Sequence, residues 1–227
     1  MKKQVIPINL GMVKAFLIKG ETYILVDTGL PQHFEKINKF FMENQINPKD
    51  ISLIILTHNH LDHTGGIMKM KALTGAKVLI HKAEGVYLQQ GISTPVQARS
   101  LLAKLIMKLM REPKIESFKA DLQIEDNFDL NPFGINGKVI HTPGHTVGSI
   151  SVLLDNGEAI VGDSLTGKIK KNHTLAKYPF IWNDINTLKN SITMLLNKGV
   201  KLFYNSHGDV CNDMAIRTML TKGKEEN

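Results

Sequence analysis

Between Thr57 and Gly66 the chain reads Thr57-His58-Asn59-His60-Leu61-Asp62-His63-Thr64-Gly65-Gly66, which puts four metal-capable side chains within six positions. Imidazole and carboxylate together suit zinc, manganese or iron(II), and with no thiolate among them the choice of metal stays open. His58 and His60 are two apart, so on an extended backbone their rings point to the same side and can grip one ion. Asp62 and His63 are adjacent and cannot share a direction in a strand. If the chain turns there, they can address a second ion, and one loop would serve two metals.

Three further candidates share a local grammar: Thr142-Pro143-Gly144-His145-Thr146, Val161-Gly162-Asp163-Ser164 and Asn205-Ser206-His207-Gly208. Each follows an apolar, strand-like run (137–140, 159–161 and 201–204) and sits among small residues that allow close backbone approach. A lone histidine in a chain with nine of them is ordinarily a surface or hydrogen-bonded residue. Four potential ligands in six positions, followed by the Gly65-Gly66 pair, do not read as a solvated turn, and His145, Asp163 and His207 complete a set placed on strand-end loops.

Elements must bring those loops together. Ile51-Ser52-Leu53-Ile54-Ile55-Leu56 is a short apolar run rich in β-branched residues, the pattern of a buried strand delivering the first loop at its carboxyl end. Strands are predicted over 5–10, 14–19, 22–26 and 76–80, and helices over 33–45, 66–73, 82–90 and 183–196. In the first helix Phe34, Ile37, Phe40 and Phe41 recur at helical spacing, and Asn47-Pro48 ends it. From Asp121 short strands return, separated by turn signals such as Asn131-Pro132 and Asn156-Gly157. Strands interleaved with helices, with the candidate ligands at strand ends, give two sheets faced with helices, an α/β fold of αββα type.

Taken whole, the set resembles the metallo-β-lactamase fold superfamily, whose signature is the His-x-His-x-Asp-His loop. The resemblance runs from Asp27-Thr28-Gly29 through that loop to Gly144-His145, Gly162-Asp163 and His207. It implies a four-layer αββα sandwich and one domain over residues 1–227. It implies that His58, His60 and His145 bind one metal, that Asp62, His63 and His207 bind the other, and that Asp163 bridges both. Asp27 matches the family's early acidic position, which supports the metal loop from behind; read from its own surroundings it is equally a turn aspartate.

Departures narrow the reading. True β-lactamases of the superfamily commonly carry a cysteine where this chain has Asp163, and the single cysteine, Cys211, lies past the last histidine and reads as a small buried residue. Acyl-homoserine lactonases place a tyrosine three positions beyond the bridging aspartate, where Thr166 stands, so a lactonase would need another phenol such as Tyr178 or Tyr204. Glyoxalase II enzymes add a helical glutathione-binding region, whereas 20 residues follow His207.

At 227 residues the chain is within reach of a single α/β domain. A helical insertion is expected at about 91–119, where Leu101, Leu102, Leu105, Ile106, Leu109 and Met110 make an apolar stripe and Arg99, Lys104, Lys108 and Arg111 lie off it. Such a helix can pack on the body, cover the site as a lid favouring an apolar substrate tail, form a homodimer contact or lie on a membrane surface. Net charge is +7, but the lysines are scattered and the Lys168-Ile169-Lys170-Lys171 cluster is short, so a solvated surface explains it without a nucleic-acid partner. One cysteine rules out an internal disulfide and fits a reducing compartment. Pro7, Asn9 and Lys14 interrupt any signal-like core after Met1-Lys2-Lys3, and no stretch nears the roughly 20 apolar residues of a membrane span, so a cytoplasmic location is expected.

The expected chemistry is that of a dinuclear hydrolase acting on a small ester, thioester or lactone. Two divalent cations, zinc before manganese or iron(II), about 3.5–4 Å apart, would hold a bridging hydroxide at neutral pH, and one would stabilise the developing oxyanion. Asp62 would orient that hydroxide or pass a proton to the leaving group. A phosphodiesterase or nuclease, or a mononuclear iron oxidoreductase of the same fold, are the alternatives. His141 is the candidate outer helper, and His33 and His173 are expected to be ordinary surface residues.

Overall fold

A computed structural model of the chain describes residues 4–98, 115–170 and 173–222. The first sheet is built from β1 (Val5–Asn9), β2 (Lys14–Lys19), β3 (Tyr23–Val26), β4 (Ile51–Ile55), β5 (Lys77–His81) and β7 (Leu122–Ile124), in the order β1-β2-β3-β4-β5-β7. Its first two pairings are antiparallel and the rest parallel. The crossovers carry α1 (Phe34–Glu43), the single-turn α2 (Leu61–Thr64), α3 (Ile67–Thr74) and α4 (Lys82–Gln90).

The second sheet runs in the order β16-β15-β11-β10-β9-β8, from β8 (Phe128–Asp129), β9 (Gly137–His141), β10 (Ile150–Leu154), β11 (Glu158–Ile160), β15 (Leu202–Tyr204) and β16 (Cys211–Asn212). Outside it, β12 (Thr166–Lys170) pairs with β13 (His173–Lys177), and β6 (Gln97–Ala98) with β14 (Ile181–Trp182). Helices α5 (Ile185–Asn197) and α6 (Asp213–Lys222) complete the described chain.

Side-chain alternation explains the layering. On β2, Ala15 and Leu17 join Ile37 and Phe41 of α1 and Met70 of α3 in one apolar core, while Phe16 and Ile18 face the other way. They meet Val139, Val152 and Ile160 of the second sheet in a core between the two sheets. The far face of the second sheet, with Ile140, Leu153, Ala159 and Phe203, packs on Leu188, Ile192 and Leu195 of α5 and Ile216 of α6. Period-two strands buried on both faces thus supply three cores and four layers, the αββα sandwich. Each fully buried Leu, Ile or Phe contributes roughly 1.5–3 kcal/mol as an upper estimate.

Most element boundaries fall within a residue or two of the sequence expectation. The 58–63 loop does turn after His60, into helix α2. His33 is buried, not a surface residue, and its Nδ1 accepts the Leu30 amide at 3.1 Å. His173 opens strand β13. Within the expected insertion, residues 91–98 and 115–119 carry no helix, and 97–98 are a strand. The amphipathic stripe itself falls on 99–114, outside the described residues. No described helix is long and apolar enough to cross a membrane.

Candidate metal centre

All the candidate ligands stand at carboxyl ends of strands at one edge of the sandwich. β4 leads into Thr57 and His58, α2 carries Asp62 and His63, and the turns after β9, β11 and β15 carry His145, Asp163 and His207. Parallel alignment of β11 with β15 brings two of those turns side by side.

Among the described residues three overlapping groups form. His58, His60 and His145 make the first; His58, His63 and Asp163 the second; and Asp62, His63 and His207 the third, each with its ligand atoms within 4.8 Å of one another. His60 Nδ1 lies 3.0 Å from His58 Nε2 and 3.3 Å from His145 Nε2. Asp163 stands between the halves: Oδ1 is 3.4 Å from His63 Nε2, and Oδ2 is 3.8 Å from His145 Nε2 and 3.3 Å from His207 Nε2. Asp62 Oδ2 is 3.2 Å from His207 Nε2. All seven residues singled out in the sequence are therefore brought together.

The outer nitrogen of each ring is committed elsewhere, which sets its orientation. His60 Nε2 pairs with the Thr94 carbonyl at 3.2 Å, His145 Nδ1 with that of Ile181 at 3.0 Å, and His207 Nδ1 with that of Met12 at 2.7 Å. His63 Nδ1 meets Asp27 Oδ2 at 2.9 Å. The Thr57 hydroxyl donates to the same carboxylate at 2.8 Å and lies 3.1 Å from His58 Nδ1. In a neutral ring, donating outward leaves the inner nitrogen with a free lone pair, the arrangement a metal ligand needs.

Asp27 accordingly supports the cluster from beneath. It is fully buried, its carboxylate also accepts the Thr57 amide at 2.8 Å, and its φ of 62° places a non-glycine residue in the left-handed region, which aspartate tolerates better than most. Thr57 was not singled out in the sequence; the signal that could have found it is a hydroxyl set directly between the apolar run and the first histidine. His141 touches none of the seven: its Nε2 donates to the Val147 carbonyl at 2.9 Å and its ring stacks on His81. Tyr204 is not available as a phenol for the site, because its buried hydroxyl donates to Glu158 at 2.6 Å.

Charge separates the two halves. Burial pushes His145 down to about 4, and burial followed by the His63 charge holds His58 well below the usual histidine range. Burial opposes protonation of His63 and His207 too, but the facing carboxylates win: Asp163 and Asp62 hold His63 well above the usual range and His207 at about 10. His63 Nε2 and Asp163 Oδ1 are buried without a hydrogen-bond partner. The two atoms face each other at 3.4 Å, so only their mutual charge offsets their burial, and nitrogen and carboxylate donors converging this way fit a divalent cation.

An αββα sandwich with a histidine and aspartate cluster at its strand ends defines a class of metal-binding proteins. The sequence profile of the metallo-beta-lactamase superfamily matches residues 8–204, and the chain belongs to that superfamily. It is 28% identical over 206 residues to a probable metallo-hydrolase of Methanocaldococcus jannaschii, covering 89% of this chain and 90% of that protein. An atrochrysone carboxyl ACP thioesterase of Aspergillus chevalieri is 26% identical over 87% of this chain, which spans 51% of the fungal protein. Among solved structures, a metallo-beta-lactamase family protein of Thermus thermophilus superposes with a TM-score of 0.69 at 21% identity, over 98% of this chain and 78% of that one.

Proposed function

We propose that this metal-dependent hydrolase holds two divalent cations, zinc in preference to manganese or iron(II), and cleaves a small ester, thioester or lactone. His58, His60 and His145 hold one cation, Asp62, His63 and His207 the other, and Asp163 stands between them. The carrying observation is the overlap of three ligand groups around His63 Nε2 and Asp163 Oδ1, both buried and without a hydrogen bond. When bound, such a pair supplies an acidified water and positive charge for a developing oxyanion.

The chain's own residues supply the rest. The Asp62 side chain is 34% exposed against 11% for Asp163, so it is the carboxylate that reaches substrate, orients the water, takes its proton and hands that proton to the leaving group. Met12 and Phe180 are 90% and 89% exposed, next to the backbone groups that hold His207 and His145, and favour a substrate with an apolar portion beside its acyl carbon. The thioesterase relative supports a thioester within that class. The reading includes one domain over residues 1–227, working on a small molecule in the cytoplasm.

Metal content by elemental mass spectrometry on protein purified without added metal tests this. About two zinc ions per chain, reduced in Asp163→Ala, with chelator-sensitive turnover of ester or thioester substrates, is the expected result. One iron per chain moves the reading to an oxygen-dependent enzyme, turnover of a phosphodiester alone moves it to a phosphodiesterase, and no metal after reconstitution ends it.

A further inference from the structure

Asn59 separates His58 from His60, and Gly148 lies three residues beyond His145. These two backbone positions belong to loops from different sheets, and both amides point at one side chain. Glu84, in the first turn of α4, accepts the Asn59 amide through Oε2 at 2.8 Å and the Gly148 amide through Oε1 at 2.9 Å. It is fully buried.

We infer that Glu84 is a positioning residue for the three-histidine half of the site, its carboxylate setting the His58–His60 loop against the His145 loop. The inference rests on the metal-site reading above.

An acidic residue in a first helical turn ordinarily serves its own helix, by its charge or by capping. Glu84 does not: the Ala83 amide of α4 is capped at 3.1 Å by His81 Nδ1, which leaves both Glu84 oxygens for the two loops. The surroundings are built for that reach. A Cβ on Gly148 would lie 2.7 Å from Glu84 Cγ and 2.8 Å from His81 Nδ1, so only glycine admits the carboxylate there. His81 is fixed by its Nε2 bond to the Glu125 carbonyl and by stacking on His141 at 4.1 Å, and His141 holds the neighbouring Val147 carbonyl. On the other side Asn59 is held through its carbonyl by the Thr94 amide and through Nδ2 by the Ile92 carbonyl.

The chemistry of the contact demands a carboxylate. Two N–H donors face one group, and a carboxylate accepts from both, with charge-assisted strength. A glutamine of the same shape offers one acceptor and turns an NH2 donor toward the other amide. One loop is then released, and with it the separation of His60 from His145.

The test measures zinc affinity of the full chain by competition with a chromogenic chelator, in two backgrounds that each keep one half of the site. In His207→Ala, which keeps the three-histidine group, Glu84→Gln is expected to weaken zinc roughly tenfold to a hundredfold, and in His60→Ala less than about threefold. The cobalt(II) visible spectrum should shift in the first background only. Gly148→Ala, whose methyl would displace the same carboxylate, should reproduce the selective loss and serves if Glu84→Gln does not fold. Equal loss in both backgrounds would mean general support of the fold and overturns the inference, as does no loss in either. Failure of the unmodified chain to take up metal is a separate result, which removes the metal-site reading and this inference together.

Discussion

Each of the five clustered histidines carries one nitrogen tied to the protein and one turned inward, and the inward nitrogens differ in what they carry. Without metal, His58 and His145 are neutral at pH 7, while His63 and His207 hold protons against Asp62 and Asp163. A cation needs those two rings deprotonated, so loading must expel their protons. The sign follows: lower pH favours the protonated, metal-free rings. Zinc affinity is therefore expected to rise with pH through neutrality. Calorimetry in buffers of different ionisation enthalpy should register net proton release at pH 7, and affinity flat between pH 6 and 8 would contradict the assignment. At this scale the sequence was legible where residues are contiguous, as in the 58–63 run. It was silent on the Met12, Thr94 and Ile181 carbonyls, which reach their histidines across 195, 34 and 36 positions.

Elements place the side chains by meeting closely, and the His145 turn shows how. Gly144 has a φ of 136°, and a Cβ there would sit 2.4 Å from the Leu188 backbone of α5. The Gly144 carbonyl in turn accepts the Asn183 and Asp184 amides just before that helix. Gly144→Ala should push the turn off α5 and cost about 1–3 kcal/mol, with zinc weakened mainly at the three-histidine group. A thermal scan should then show a midpoint lower by several degrees, and an unchanged midpoint with unchanged affinity would show the contact to be unimportant. The small residues flanking His145 announced a close backbone approach. The helix being approached, over 40 positions away, was not readable from them.

At the scale of the molecule, the cluster joins the two sheets at one edge. His58 to His63 come from the first sheet, whereas His145, Asp163 and His207 come from the second. Metal bound there would link sheets that otherwise meet across the core of Phe16, Val139 and Val152. Loading at a thousandfold excess over Kd should stabilise the chain by about 4 kcal/mol, which for this size raises the thermal midpoint by about 8–16 °C. A chelator should reverse the gain, and a midpoint indifferent to metal would place the ions elsewhere. By itself the sequence determined the layer pattern and the chemical nature of the site. Strand periodicity and the spacing of histidine and aspartate are local properties, written within a few positions. Tertiary structure alone decided which ring Asp27 holds, that Thr57 orients His58, that Tyr204 is spent on Glu158, and that Glu84 faces two loops at once. Those partnerships depend on how strands distant in sequence are laid side by side, and no local spacing encodes them.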